Sequence, residues 1–152
     1  MKVVVQRSKK SCVSVDEKII GSIDSGLVLL VGFTKGDSLK EIEHLAKKIV
    51  NLRIFDDENG IMNKSLLDVG GSILSISQFT LYANTIKGNR PSYIEALDSS
   101  EAGPLYNLFN EKLREYGINV ETGKFGAEML VNIKNDGPIT ILLESGGKFV
   151  KE

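Results

Sequence analysis

The run Gly26-Leu27-Val28-Leu29-Leu30-Val31-Gly32-Phe33 decides the architecture. It is apolar at successive positions rather than alternate ones, so a strand built from it must be covered on both faces. A sheet with such a strand at its centre needs helices as its cover. Upstream, residues 2–7 read as another buried strand. Cys12-Val13-Ser14-Val15 and Ile19-Ile20-Gly21-Ser22-Ile23 read as two strands joined by the turn Asp16-Glu17-Lys18. Downstream, Ser38 and Glu41 stand at capping-box spacing. Leu39, Ile42, Leu45, Ala46, Ile49 and Val50 then form a stripe at helical period, with His44 pointing away from it.

Residues 54–70 read as irregular, with a turn at Asp57-Glu58-Asn59-Gly60. Residues 73–81 read as a strand and 83–91 as a polar loop. A second helix is expected from near Ser100 or Pro104 to Tyr116, with Leu105, Leu108, Phe109 and Leu113 inward and Gly117 as its stop. Strands over 118–120, 129–134 and 139–143 complete the reading. The order predicts an α/β fold in which a mixed sheet is covered by helices, all in a single domain over 1–152.

The length of 152 residues fits one domain that buries roughly two-thirds of its unfolded surface. No apolar run approaches the ~20 residues that a membrane span needs. Charge enters the first residues, Met1-Lys2-Val3-Val4-Val5-Gln6-Arg7, too early for a signal peptide. The lone Cys12 rules out an internal disulfide framework and fits a reducing cytoplasm. Nineteen basic against twenty acidic residues give a net charge of −1. Counterion release favours strongly basic proteins on long nucleic acids, so a nucleic-acid partner here should be held over a small footprint. Lys9, Lys10, Lys87 and Arg90 are the candidate contacts, although each also reads as an ordinary solvated charge.

Elimination narrows the chemistry. The only histidine, His44, is expected on a solvent face, so a Ser-His-Asp or Cys-His arrangement has no base. One cysteine and one histidine do not make a typical zinc site. There is no phosphate-binding loop, and Gly123-Lys124-Phe125-Gly126 lacks the third glycine and the helix of a dinucleotide fingerprint. Asp56, Asp57 and Glu58 sit in a turn, where solvated acids are the default. No metal and no cofactor is expected. An enzyme with this inventory works by positioning and backbone electrostatics, or draws a functional group from its substrate.

Two short segments remain. In the first, Leu74 and Ile76 are apolar at even positions, whereas Phe79 and Leu81 are apolar at odd ones. Such a parity change means either burial on both faces or a bulge near Ser77-Gln78, and bulges turn backbone amides outward. In the second, Asn135-Asp136-Gly137-Pro138 reads from spacing as a hairpin turn between strands. It also reads as a place of close backbone approach, because Gly137 has no β-carbon and Pro138 has no N–H.

Ser77-Gln78-Phe79-Thr80-Leu81 and Asn135-Asp136-Gly137-Pro138-Ile139-Thr140 together resemble the two signature motifs of the D-aminoacyl-tRNA deacylases. The resemblance runs along the chain through Val4-Val5-Gln6-Arg7, Gly88-Asn89-Arg90-Pro91-Ser92 and Thr122-Gly123-Lys124-Phe125-Gly126-Ala127-Glu128-Met129. It departs locally at Lys9-Lys10, at Ser11-Cys12 and at Ile139, where valine is common.

The resemblance implies a mixed sheet with a barrel-like core and two main helices, in a cytoplasmic homodimer that hydrolyses the ester between a D-amino acid and tRNA. It implies that Gly137-Pro138 is a cis turn reaching into the partner's pocket as a chiral filter, held by Arg7. Ser77, Gln78, Phe79 and Thr80 would form the catalytic wall, and Phe125, Gly126 and Met129 would receive the terminal adenosine. The acceptor end of aminoacyl-tRNA is the implied partner; DNA and membranes are not. A wall of backbone carbonyls near the α-carbon would reject L-aminoacyl groups sterically and would not exclude glycine. Catalysis assisted by the ribose 2′-OH is preferred to a Thr80 nucleophile, for which the sequence offers no base. A non-catalytic module that binds a tRNA end, a small-molecule esterase and a structural dimer are the competing readings.

Overall fold

The structure, a computed structural model, describes residues 1–145; the end of the domain expected over 1–152 lies outside the described residues. The chain begins with β1 (Lys2–Ser8), β2 (Ser11–Val15), β3 (Lys18–Ile23) and β4 (Gly26–Gly32), followed by α1 (Leu39–Asn51). A small unit of β5 (Phe55–Asp56), β6 (Met62–Lys64) and α2 (Leu66–Val69) leads into β7 (Ser72–Ser77). After a 3-10 turn at Phe79–Tyr82 come α3 (Ser99–Arg114), β8 (Val120–Thr122), β9 (Leu130–Asn132) and β10 (Asn135–Glu144).

A mixed five-stranded sheet has the order β10-β1-β4-β7-β8, and a second sheet has the order β3-β2-β9. β1 runs antiparallel to both of its neighbours, whereas β4, β7 and β8 are parallel. The continuous apolar run is explained by what covers each face of β4. Leu27, Leu29 and Val31 point with Val3, Val5 and Ile73 into a core shared with Ile42, Leu45 and Ile49 of α1 and Phe109 and Leu113 of α3. Val28 points the other way, joining Leu74 and Ile76 against Val13 and Ile23 of the second sheet. Each fully buried aliphatic side chain in these layers contributes about 1.5–3 kcal/mol. The expected mixed sheet under two main helices is therefore present, with a second sheet closing its other face.

The helix caps follow the sequence. The amide and hydroxyl of Ser38 both donate to the Glu41 carboxylate, at 2.7 and 2.6 Å, and His44 is exposed on α1. Asp98 caps α3 by accepting from the Ser100 amide at 2.9 Å, and Gly117 follows that helix at φ 81°. Three expectations need correction. Residues 54–70 are not irregular, since β5, β6 and α2 lie there. The strand expected over 73–81 ends at Ser77, and its register with β4 is regular. The parity change thus marks the passage from strand to 3-10 turn, not a bulge. Finally, residues 135–138 are not a hairpin, because β9 pairs with β2 while β10 pairs with β1. Among the described residues no helix is long and apolar enough to cross a membrane.

Candidate active site

Val31 and Ser77 are register partners at the carboxyl ends of the parallel strands β4 and β7. Clefts form at such ends because the chain must leave the sheet there in different directions. A cleft of about 680 Å³ opens at this point, within the usual range for a small-ligand site. Ser77, Gln78 and Phe79 form one wall, and Phe125, Gly126 and Met129 contribute another. The fold thus brings together two groups of residues that lie far apart in the sequence and that the motifs had singled out. Thr80 is half-buried behind Phe79 in sequence and is not part of the lining.

The first wall is set by backbone packing. The Gln78 amide donates to the Val31 carbonyl at 2.7 Å, extending the ladder by one bond. A β-carbon on Gly32 would stand 2.9 Å from the Gln78 carbonyl oxygen, so the close approach of this wall to β4 requires glycine. The 3-10 turn then begins, with Leu81 donating to Gln78 at 3.3 Å and Ala83 to Thr80 at 3.1 Å. A 3-10 turn leaves its first amides without an acceptor. Here these are the amides of Phe79 and Thr80, which have no partner among the described residues. The Gln78 side-chain amide donates to the Thr80 hydroxyl.

The second wall leans on α3. The Phe125 ring lies against Tyr106 with centroids 5.8 Å apart, and Tyr106 donates its hydroxyl to the Ser75 carbonyl at 2.7 Å. Burial pushes the Tyr106 phenol up, against a smaller downward pull from its bond to Ser75 and from neighbouring Asn110, so it remains a neutral donor. Asp98 also reaches the lining. Hydrogen bonds from the Ser100 hydroxyl and amide hold its carboxyl below the usual range, which commits it to the helix cap as a carboxylate. Gly32, Tyr93, Leu97 and Asp98 are lining residues that the sequence motifs do not single out. A glycine inside the apolar run of β4 was the available signal for the first of them.

Arg7, Gly137 and Pro138 lie outside the lining of this chain's own cleft. Gln6 pairs with Thr140 and Ser8 with Asn135, so residues 136–139 bulge outward opposite Arg7 alone. The Gly137–Pro138 peptide is cis, and both residues are exposed. Arg7 is buried beneath this turn. Its Nε donates to the Asp136 carbonyl at 3.0 Å and its Nη1 to the Ile54 carbonyl at 2.9 Å. The carboxylates of Asp56 and Asp136 each lie 3.5 Å from the guanidinium and offset its buried charge. Asn135 closes the turn from its base, accepting from the Ile139 amide and donating to the Thr140 hydroxyl, both at 2.8 Å. Among the described residues no group of three or more His, Cys, Asp or Glu side chains is placed to hold a metal ion.

The D-Tyr-tRNA(Tyr) deacylase family model matches residues 4–144. A D-aminoacyl-tRNA deacylase of Brevibacillus brevis is 57% identical over 145 residues, which is 95% of this chain and 100% of that protein. One from Clostridium novyi is 54% identical over 149 residues, covering 98% of this chain and 100% of the relative. Among solved structures, a c-Myc DNA unwinding element binding protein superposes with a TM-score of 0.91 at 44% identity, covering 97% of this chain and 100% of its own. A probable eukaryotic D-amino acid tRNA deacylase superposes with a TM-score of 0.80 over 93% of this chain and 97% of its own; at 17% identity it shows the shared fold alone. With the family model spanning nearly all of the chain and full-length relatives above half identity, the chain belongs to the D-aminoacyl-tRNA deacylase family of hydrolases.

Proposed function

We propose that this protein hydrolyses the ester between a D-amino acid and the 3′ end of tRNA in the cytoplasm, releasing the free amino acid and the tRNA. The observation that carries the reading is the joining of two walls at one cleft. Ser77, Gln78 and Phe79, with the unpaired amides of Phe79 and Thr80 at the start of the 3-10 turn, stand on one side, with Phe125, Gly126 and Met129 on the other. In this reading the terminal adenosine lies along the Phe125 side and the aminoacyl group lies against Ser77–Thr80. The amides of Phe79 and Thr80 are then placed for the developing oxyanion, a contribution of several kcal/mol in a preorganised site.

The stereochemical filter comes from a second copy of the chain. Gly137 and Pro138 are exposed, braced from below by Arg7 and Asn135, and absent from their own cleft, which suits a rigid probe for a partner's pocket. Backbone atoms placed beside the α-carbon admit a hydrogen and reject a side chain. D-aminoacyl groups of many kinds would enter; L-aminoacyl groups would collide; glycine would pass. The proton chemistry falls to the substrate's own 2′-OH. Among the described residues Asp98 and Tyr93 are the only titratable side chains on the lining, and Asp98 is occupied as a helix cap.

The related solved protein named for binding a DNA element raises a DNA-binding alternative. A net charge of −1 favours the short acceptor end over a long duplex footprint. The test is deacylation of matched D-tyrosyl-, L-tyrosyl- and glycyl-tRNA by the purified protein with chelator present. Release from the D-tyrosyl and glycyl esters alone is expected. No release from any of them, by a folded protein, would leave a binding module instead, and resistance of glycyl-tRNA alone would reject the steric filter.

A further inference from the structure

Ile86 and Ile94 are the most exposed large apolar side chains among the described residues, at 88% and 82%. They lie on one ordered loop. Asn84 and Ser92 exchange backbone hydrogen bonds at 2.8 and 2.9 Å, the Ile86 amide is held by the Asn84 side chain at 2.9 Å, and Ala96 bridges to Thr34. Every residue from 85 to 95 is nonetheless exposed. A pinned segment that keeps two branched aliphatic side chains in water presents a surface for something else.

The loop joins the cleft through its aromatic residues. Tyr93 meets Phe79 edge-on with ring centroids 5.0 Å apart, and both rings line the cleft while remaining 40% and 57% exposed. Charge separates this rim from the one formed by the start of α3. That rim carries Asp98 and Glu101, whereas the loop over 85–95 carries Lys87 and Arg90 against the single acid Glu95 at its end. Neither cation has an ion-pair partner among the described residues. A polyanionic strand leaving the cleft is repelled over one rim and attracted over the other.

We infer that the loop is a docking surface for the single-stranded nucleotides that precede the terminal adenosine of the tRNA 3′ end. Ile86 and Ile94 supply apolar contacts to bases that leave along the Phe79–Tyr93 edge, and Lys87 and Arg90 face the phosphates between them. Single-stranded recognition commonly combines aromatic side chains on which bases stack, here Phe79 and Tyr93, with a basic track. This inference rests on the placement of the terminal adenosine in the cleft.

The test compares three D-tyrosyl esters, on full tRNA, on the trinucleotide CCA and on adenosine, with wild-type protein and two double variants. For Ile86→Ser with Ile94→Ser, KM should rise about 10-fold on tRNA and on CCA, with kcat preserved and the adenosine ester cleaved as by wild type. For Lys87→Ala with Arg90→Ala, the salt dependence of kcat/KM on tRNA and CCA should become shallower, by ~0.7 in log–log slope for each phosphate no longer neutralised. Unchanged KM on CCA would overturn the inference, as would a loss confined to full tRNA, which would place the docking on the paired stem. An equal loss on the adenosine ester would overturn it too, by showing a distorted cleft. A change of oligomeric state in either variant would assign the loop to contact between copies of the chain. If wild-type protein cleaves none of the three esters, the proposed function fails rather than the docking surface.

Discussion

The hydroxyl of Tyr106 in α3 donates to the main-chain carbonyl of Ser75 in β7 at 2.7 Å, two residues before the strand ends at Ser77. The same carbonyl accepts from the Gly123 amide at 3.3 Å, so helix, strand and the approach to Phe125 converge on one oxygen. Replacing Tyr106 by phenylalanine removes the stronger of these bonds while keeping the ring against Phe125. The expected cost is about 1 kcal/mol of stability, read from the urea midpoint. KM for D-aminoacyl-tRNA should rise with kcat little changed, because the binding wall loosens and the opposite wall does not.

Gly32 controls the other wall. Its substitution by alanine sets a β-carbon 2.9 Å from the Gln78 carbonyl, a backbone atom that cannot swing aside. The expected loss is about 1–3 kcal/mol of stability. A fall in kcat, measured well below the unfolding midpoint, should accompany it as the Phe79 and Thr80 amides shift. A variant with full kcat would show that those amides are not aligned by β4.

Arg7→Lys tests the brace beneath the exposed turn. Arginine reaches the carbonyls of Asp136 and Ile54 with two different nitrogens, at 3.0 and 2.9 Å. An ammonium is a single point of contact and cannot span both. The variant should lose about 2 kcal/mol of stability, as expected for charge-assisted bonds. Its preference for D-tyrosyl- over L-tyrosyl-tRNA should also narrow, which direct comparison of the two release rates would show.

Thr80→Ala distinguishes the two chemical models. The hydroxyl accepts from the Gln78 side chain and has no base beside it among the described residues. Most of the activity should survive in single-turnover deacylation. Complete loss in a folded variant would restore the threonine nucleophile.

Alkaline pH should destabilise the fold through Tyr82 and Tyr106. Burial pushes both phenols up, and for Tyr82 the charges of Asp37, Glu144 and Glu95 add to the shift. Above about pH 10 an unfolded tyrosine ionises first, so the folded chain holds the extra protons. Their stabilising contribution is complete below that pH and is lost as pH rises through the higher folded values. Unfolding midpoints taken between about pH 9 and 11 should fall, and less steeply in Tyr82→Phe.

Much of this is legible in the residues. The two faces of β4, the stripe on α1 and the Asp16-Glu17 turn, where both residues have positive φ, follow from local pattern. The sequence reading misses α2, because a helix of one turn has too few residues to show a period, although Ser65 and Asp68 at its start satisfy each other's amides. Two features are not local. Parity breaks at Phe79 because the strand ends there, and the end is imposed by packing of Gln78 on Gly32. Asn135–Pro138 looks like a hairpin because strand-like residues flank it, yet the flanking strands belong to different sheets. Pairing partners far away in sequence decide both, and no window of adjacent residues contains them.

The hydrogen bond between Arg7 and Asp136 spans 129 positions of the chain. β1 can pair with β4 early, but its other edge waits for β10. Topologies with such separations fold slowly, since loop closure comes before the contacts that reward it. On the ribosome β1 would stand half-paired until β10 had emerged, and the turn carried by β10 would take shape only then. A nascent chain stalled before that point would present an open strand edge, the form most prone to join its neighbours.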